Sequence, residues 1–163
     1  MVLNSKFLAV TSIIASLYLV LGFSLQGIAF GNIQVRVADA LYPLIGILGL
    51  PCLIGTFLGH FIFNFYGFNV GIALGIGDLA SPFIFLIPKL LIYKYGKTPL
   101  TLTMTTFIHV LFVAFWVAWL LYTLFGLPFW LSVFTVGVGE FIAEILLGMP
   151  LAITIKKRLK IYG

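Results

Sequence analysis

Long apolar runs, each broken by a few polar or helix-breaking residues, divide the chain into segments near residues 5–25, 39–50, 52–66, 70–93, 100–125 and 128–155. A helical crossing of a bilayer uses about 20 residues, so each segment is a candidate membrane span. Segments two and three are short. Pro51, between Leu50 and Cys52, is the break expected to separate them, because proline lacks an amide donor and clashes with the preceding turn. Merging them would leave five spans. The first run, Phe7 to Phe23, follows Lys6 as a signal sequence would, but it lacks a small-residue cleavage site and more apolar runs follow it. It reads as the first span.

Composition narrows the class. The chain of 163 residues is 63% hydrophobic and 8% charged, where a soluble domain carries about 25% charged residues. Too few polar groups exist to cover a water-exposed surface. The expectation is an all-α integral membrane protein of the cell membrane, multi-pass, with residues 1–163 forming one membrane domain, a compact bundle of six transmembrane helices. The net charge of +5 does not point to nucleic acid, since the basic residues form no stripe. They gather at Lys6, at Lys89, Lys94 and Lys97, and at Lys156, Lys157, Arg158 and Lys160. Positive loops prefer the cytoplasm, and all three clusters share one side only with six spans and both termini cytoplasmic. Gln26 to Val37 then lies outside, as a lid over the bundle. Cys52 is the sole cysteine, which excludes an intramolecular disulfide and a cysteine metal cluster and leaves a small core residue. Gly55 with Gly59, and Gly71 with Gly75, repeat at the helical spacing that lets backbones pack closely in lipid.

The informative residues are the polar ones inside apolar segments: Arg36, Asp39, His60, Asn64, Asp78, His109, Glu140 and Glu144. A charge near the bilayer centre costs at least about 2.5 to 3.5 kcal/mol, so it faces a cavity or a partner. All four acidic residues belong to this set, against one arginine, and a cavity so lined prefers a cation or a molecule rich in hydrogen-bond donors. Arg36 and Asp39 are three apart and share a face on a helical path; a structural ion pair and a ligand contact both remain open. Glu140 and Glu144 are four apart on the last span, where two carboxylates repel unless one is protonated or a cation is shared. Gly137 and Gly139 leave room beside Glu140, and Glu144 is the one expected to be satisfied by a neighbouring helix. His60 and Asn64 are one turn apart on the third span. His109 stands in the fifth near Thr105 and Thr106. A membrane histidine more often bonds helix to helix than carries a proton or a ligand; both roles stay open for His109. Asp78 follows Gly75 and Gly77 with no basic neighbour in sequence. Among the aromatic residues, Phe63, Tyr66, Trp116, Trp119 and Trp130 offer flat surfaces on which a planar ligand can stack.

No phosphate-binding glycine loop with its Lys and Ser or Thr occurs, nor a histidine pair with metalloprotease spacing. The chain is expected not to hydrolyse ATP by itself, to carry no metal or cofactor, and not to be an enzyme.

The stretch Gly31 to Leu41, GlyAsnIleGlnValArgValAlaAspAlaLeu, resembles the signature of the QueT family: a loop glycine followed by Gln, a hydrophobic residue, Arg, two residues, an acidic residue, Ala and Leu. The similarity continues through Gly59 and Asn64, Asp78, and the pair Gly139 and Glu140. Asp39 stands where the family more often has glutamate, and His109 where asparagine is expected. At the coupling surface, the small-residue motif of the first span is seen only as Ser5 with Ala9, Thr11 with Ala15, and Ser12 with Ser16. The resemblance implies a substrate-binding S component of an energy-coupling factor (ECF) transporter, importing deazaguanine precursors of queuosine. It further implies association with a transmembrane coupling subunit and two ATPase subunits. Taken with the reading of the intramembrane polar residues, the candidate substrate-binding residues are Gln34, Arg36, Asp39, Asn64, Asp78, His109, Glu140 and Glu144. A guanine-like base presents adjacent ring NH and amine donors, which suit Glu140 and Asp78, with Asn64 or Gln34 reading the carbonyl edge.

Rival readings are a self-sufficient proton-coupled carrier using Glu140 and Glu144, an S component for another vitamin-like substrate, a membrane enzyme using His60 or His109 as base, and a purely structural subunit. No nucleophile adjoins either histidine in sequence, and the surplus of intramembrane carboxylates speaks against a structural subunit.

Overall fold

The computed structural model describes residues 4–29, 34–66 and 98–159, and every regular element among them is helical. Helix α1, Ser5–Ser24, starts where Asn4 caps it, its Oδ1 accepting from Phe7 N at 2.8 Å. A single turn, α2, covers Gln26–Ala29. The chain re-enters the bundle as a 3-10 helix, Val37–Leu44, which runs directly into α3, Ile45–Leu48. Gly49 then turns the chain with φ 73°, a conformation that glycine adopts without steric cost, and α4 follows over Leu50–Tyr66. Helix α5, Pro99–Phe125, is capped by the Thr98 hydroxyl, which accepts from Thr101 N at 3.1 Å, and ends at Gly126 with φ 67°. The last helix comprises α6, Phe129–Glu140, a π-helical stretch, Phe141–Gly148, and α7, Met149–Arg158.

Three of these helices are long and apolar enough to cross a membrane: Ser5–Ser24, Pro99–Phe125 and Phe129–Arg158, of 20, 27 and 30 residues. At about 1.5 Å per residue they reach the hydrocarbon thickness of about 30 Å or exceed it. Their exposed faces carry large apolar side chains, among them Ile13, Val20, Phe107, Trp130 and Phe134, the surface a lipid solvent requires. The fold is therefore that of an all-helical membrane protein.

Two expectations change in detail. The second apolar segment is not an α-helix over 39–50: its first eight helical residues are 3-10, and residues 38–44 are buried throughout. The break before the third segment is made by Gly49. Pro51 sits in the first turn of α4, where a missing amide leaves no intrahelical bond unmade. The expected segment at 70–93, with Asp78 and the cluster Lys89, Lys94 and Lys97, lies outside the described residues.

Contacts between helices set their directions. Along α1 and α4, Thr11 hydroxyl donates to the Pro51 carbonyl at 3.1 Å, Tyr18 lies on Gly59, and Gly22 meets the Phe63 ring, so the two helices run parallel. Their approach depends on the glycines expected to allow it: a Cβ at Gly55 would stand 2.6 Å from the Thr11 carbonyl oxygen, and one at Gly59 2.6 Å from Tyr18 Cβ. Gln34 lies beside Gly139, and Ala40 and Pro43 beside Gly148, so the 3-10 helix runs parallel to the last helix. Helix α5 opposes both, through Tyr42 with His109, Leu102 with Gly46, and Thr106 with Met149, and α4 also opposes the 3-10 helix, turning back at Gly49 so that His60 meets Tyr42; α4 and α5 therefore run parallel. Lys6 and the run Lys156, Lys157 and Arg158 consequently lie toward the same end of the bundle.

A buried polar network at the bundle centre

The 3-10 helix occupies the middle of the bundle, between the α1–α4 pair and the α5–last helix pair. With three residues per turn, positions i and i+3 lie one above the other, so Asp39 and Tyr42 share one face. Tyr18 on α1 donates its hydroxyl proton to Asp39 Oδ1. With that proton committed, the Tyr18 oxygen accepts, and His60 Nδ1 stands 2.8 Å from it. The Tyr42 oxygen is also 2.8 Å from the same nitrogen. On the opposite edge of the ring, Asn64 Nδ2 donates to His60 Nε2 at 2.7 Å. One neutral tautomer, protonated at Nδ1, satisfies all these contacts: its N–H is shared between two tyrosine oxygens while Nε2 accepts from Asn64.

The Tyr42 ring continues the chain of contacts, its centroid 5.1 Å from that of His109 on α5. His109 Nδ1 in turn pairs with Glu144 Oε1 on the π-helical stretch. Tyr18, Asp39, Tyr42, His60, His109 and Glu144 are all buried, none more than 3% exposed. Burying a carboxylate is tolerated only where it is paired and hydrogen-bonded; Tyr18 supplies a partner to one oxygen of Asp39 and His109 to one oxygen of Glu144. The pairing of Glu144 with His109 across two helices is the arrangement expected for Glu144 and the helix-to-helix alternative for His109.

Glu140 has a different setting. It is buried, 2% exposed, at the end of α6. The residue before it, Gly139, lies against the main chain leading into the 3-10 helix, so closely that a Cβ there would overlap the Gln34 carbonyl. The main chain of Gln34 thereby meets the residue before Glu140 at the start of the 3-10 helix, where Arg36, 5% exposed, precedes the first helical residue and accepts through its carbonyl from Asp39 N at 2.8 Å. Of the eight expected binding residues, seven fall within the described part. Gln34 and Arg36 lead into the 3-10 helix, Gln34 against the residue before Glu140; Asp39 and Asn64 belong to the His60 network, His109 and Glu144 form a buried pair, and Asp78 lies outside the described residues. Tyr18 and Tyr42 escaped sequence reasoning, and His60 was named without a place among the binding residues. The available signal was a tyrosine inside an apolar run, whose hydroxyl requires a partner once buried.

These features define a helical membrane protein with ionisable groups concentrated at its centre, the pattern of proteins that move or bind a polar solute within the bilayer. The family model described as QueT transporter matches residues 8–157, and the chain belongs to that transporter family. Among curated proteins and among solved structures there is no match.

Proposed function

We propose that the chain is the substrate-binding S component of an ECF-type ABC importer, capturing a deazaguanine precursor of queuosine from outside for ATP-driven uptake. Membership of the transporter family supports this reading. The observation that carries it is the setting of Glu140, an intramembrane carboxylate next to Gly139, on which Gln34 of a distant part of the chain is seated. A guanine-like edge offers adjacent NH and amine donors that the Glu140 carboxylate would accept, and a carbonyl to which the Gln34 side chain would donate. In this reading Glu140 and Asp78 accept from the base, Gln34 or Asn64 reads its carbonyl edge, and Arg36, Asp39, His109 and Glu144 complete the binding set.

The same proposal takes the chain as one membrane domain of six spans with both termini cytoplasmic, resident in the cell membrane, without a cofactor or enzymatic activity of its own. The parallel course of α4 and α5 favours a crossing between them, and the common end shared by Lys6 and Lys156–Arg158 favours termini on one side. A transmembrane coupling subunit and two ATPase subunits would supply the energy. Purified protein is expected to bind a deazaguanine base by calorimetric titration, and liposomes are expected to accumulate it only when those subunits and ATP are added. Accumulation by the isolated chain would replace this reading with a self-sufficient carrier.

A further inference from the structure

An eight-residue 3-10 helix is unusual, because its hydrogen bonds are poorer than those of an α-helix and runs beyond three or four residues are uncommon. Val37–Leu44 holds this form where residues 38–44 are buried without a break. Something must select it. In the 3-10 form Asp39 and Tyr42 stand on one row, whereas α-helical winding advances about 100° per residue and turns them apart by about 60°. Asp39 reaches Tyr18, Tyr42 reaches His60 Nδ1 at 2.8 Å, and Tyr18 meets the same nitrogen at 2.8 Å. His60 is therefore the point where both residues of the row are tied to the α1–α4 pair. Winding the segment into an α-helix would also shorten it by about 4 Å over eight residues. That change is enough to draw Gln34 away from Gly139.

We propose that His60 is a positioning residue: by joining Tyr18 and Tyr42 it locks Val37–Leu44 in the 3-10 form, and this form seats the Gln34 main chain against Gly139, the residue before Glu140. Its consequence for ligand rests on the substrate-binding reading above; the lock itself does not. Amide hydrogen exchange of the full chain in lipid nanodiscs tests it. His60→Ala should speed exchange over residues 37–44 by tenfold or more while α5 exchanges as in the native protein. His60→Gln, which keeps hydrogen-bonding atoms, should restore part of the protection. Tyr42→Phe removes a single hydroxyl, serves if His60→Ala fails to fold, and should raise exchange over the same residues by a smaller factor. Titration with a deazaguanine base should show tenfold weaker binding in His60→Ala, whereas Glu140→Gln should weaken binding with exchange over 37–44 unchanged. Native exchange over 37–44 in these variants, or acceleration matched equally in α5, overturns the lock. A native protein that ignores the base overturns the substrate reading alone, because the exchange result still decides the role of His60.

Discussion

Gln34 and Gly139 touch main chain to main chain, so that the residue before Glu140 has no room for a side chain. The contact joins residues 105 positions apart in sequence and fixes where the segment leading into the 3-10 helix meets the last helix. Gly139→Ala should push the two apart. Overpacking of this kind costs about 1–3 kcal/mol, and ligand affinity should fall with it. Gly137→Ala is the matched control, since a Cβ there meets only Ala114 Cβ at 3.3 Å, and should leave both melting temperature and affinity near native. Thermal unfolding and titration of the two variants make the comparison; equal behaviour would remove the contact from the site.

Glu140→Gln preserves size but substitutes donors for an acceptor. Facing a donor-rich base, it should lose about 1.5–3 kcal/mol of binding, about ten- to hundredfold in affinity. Unaltered affinity in a folded Glu140→Gln protein would leave Asp78 as the principal acidic contact.

Glu144→Gln should behave in the opposite sense, because Glu144 is paired with His109 on a neighbouring helix. Removing one partner of a buried pair destabilises by about 3–5 kcal/mol, so thermal unfolding should shift strongly while affinity in the surviving folded protein changes little. A large affinity loss with native stability would move Glu144 into the ligand site.

The bond from Tyr18 to Asp39 is measurable as a coupling. Tyr18→Phe and Asp39→Asn should each destabilise, and the double variant should fall short of their sum by about 0.5–3 kcal/mol. Strict additivity would show that the two side chains act independently.

Membrane orientation has its own test. Single cysteines introduced at Lys97→Cys and Lys157→Cys should react with impermeant reagents from the cytoplasmic side, and Asn32→Cys from outside. Outward labelling at position 97 would exclude six spans with cytoplasmic termini.

The apolar runs and the scarcity of charge alone determined that this chain is a helical membrane protein, because a bilayer solvent requires such runs whatever their packing. The run Gly31 to Leu41 determined the family, and burial in lipid singled out the polar residues as those needing partners. Which partner each one takes was decided only by the fold. The spacing of Arg36 and Asp39 put those two on one face, and the fold adds a donor to Asp39 from Tyr18, twenty-one positions earlier, because α1 packs parallel to α4 through Gly55 and Gly59. Apolar periodicity is blind to the difference between 3-10 and α winding over eight residues, so the shared face of Asp39 and Tyr42 was hidden as well. A tyrosine in an apolar run looks like any other aromatic until a tertiary neighbour takes its hydroxyl. His60 likewise acquires its importance from Tyr18 and Tyr42, brought to its ring by separate elements, beside Asn64 one turn along its own helix: local sequence carried the need for hydrogen bonds, and long-range packing chose how most of them were met.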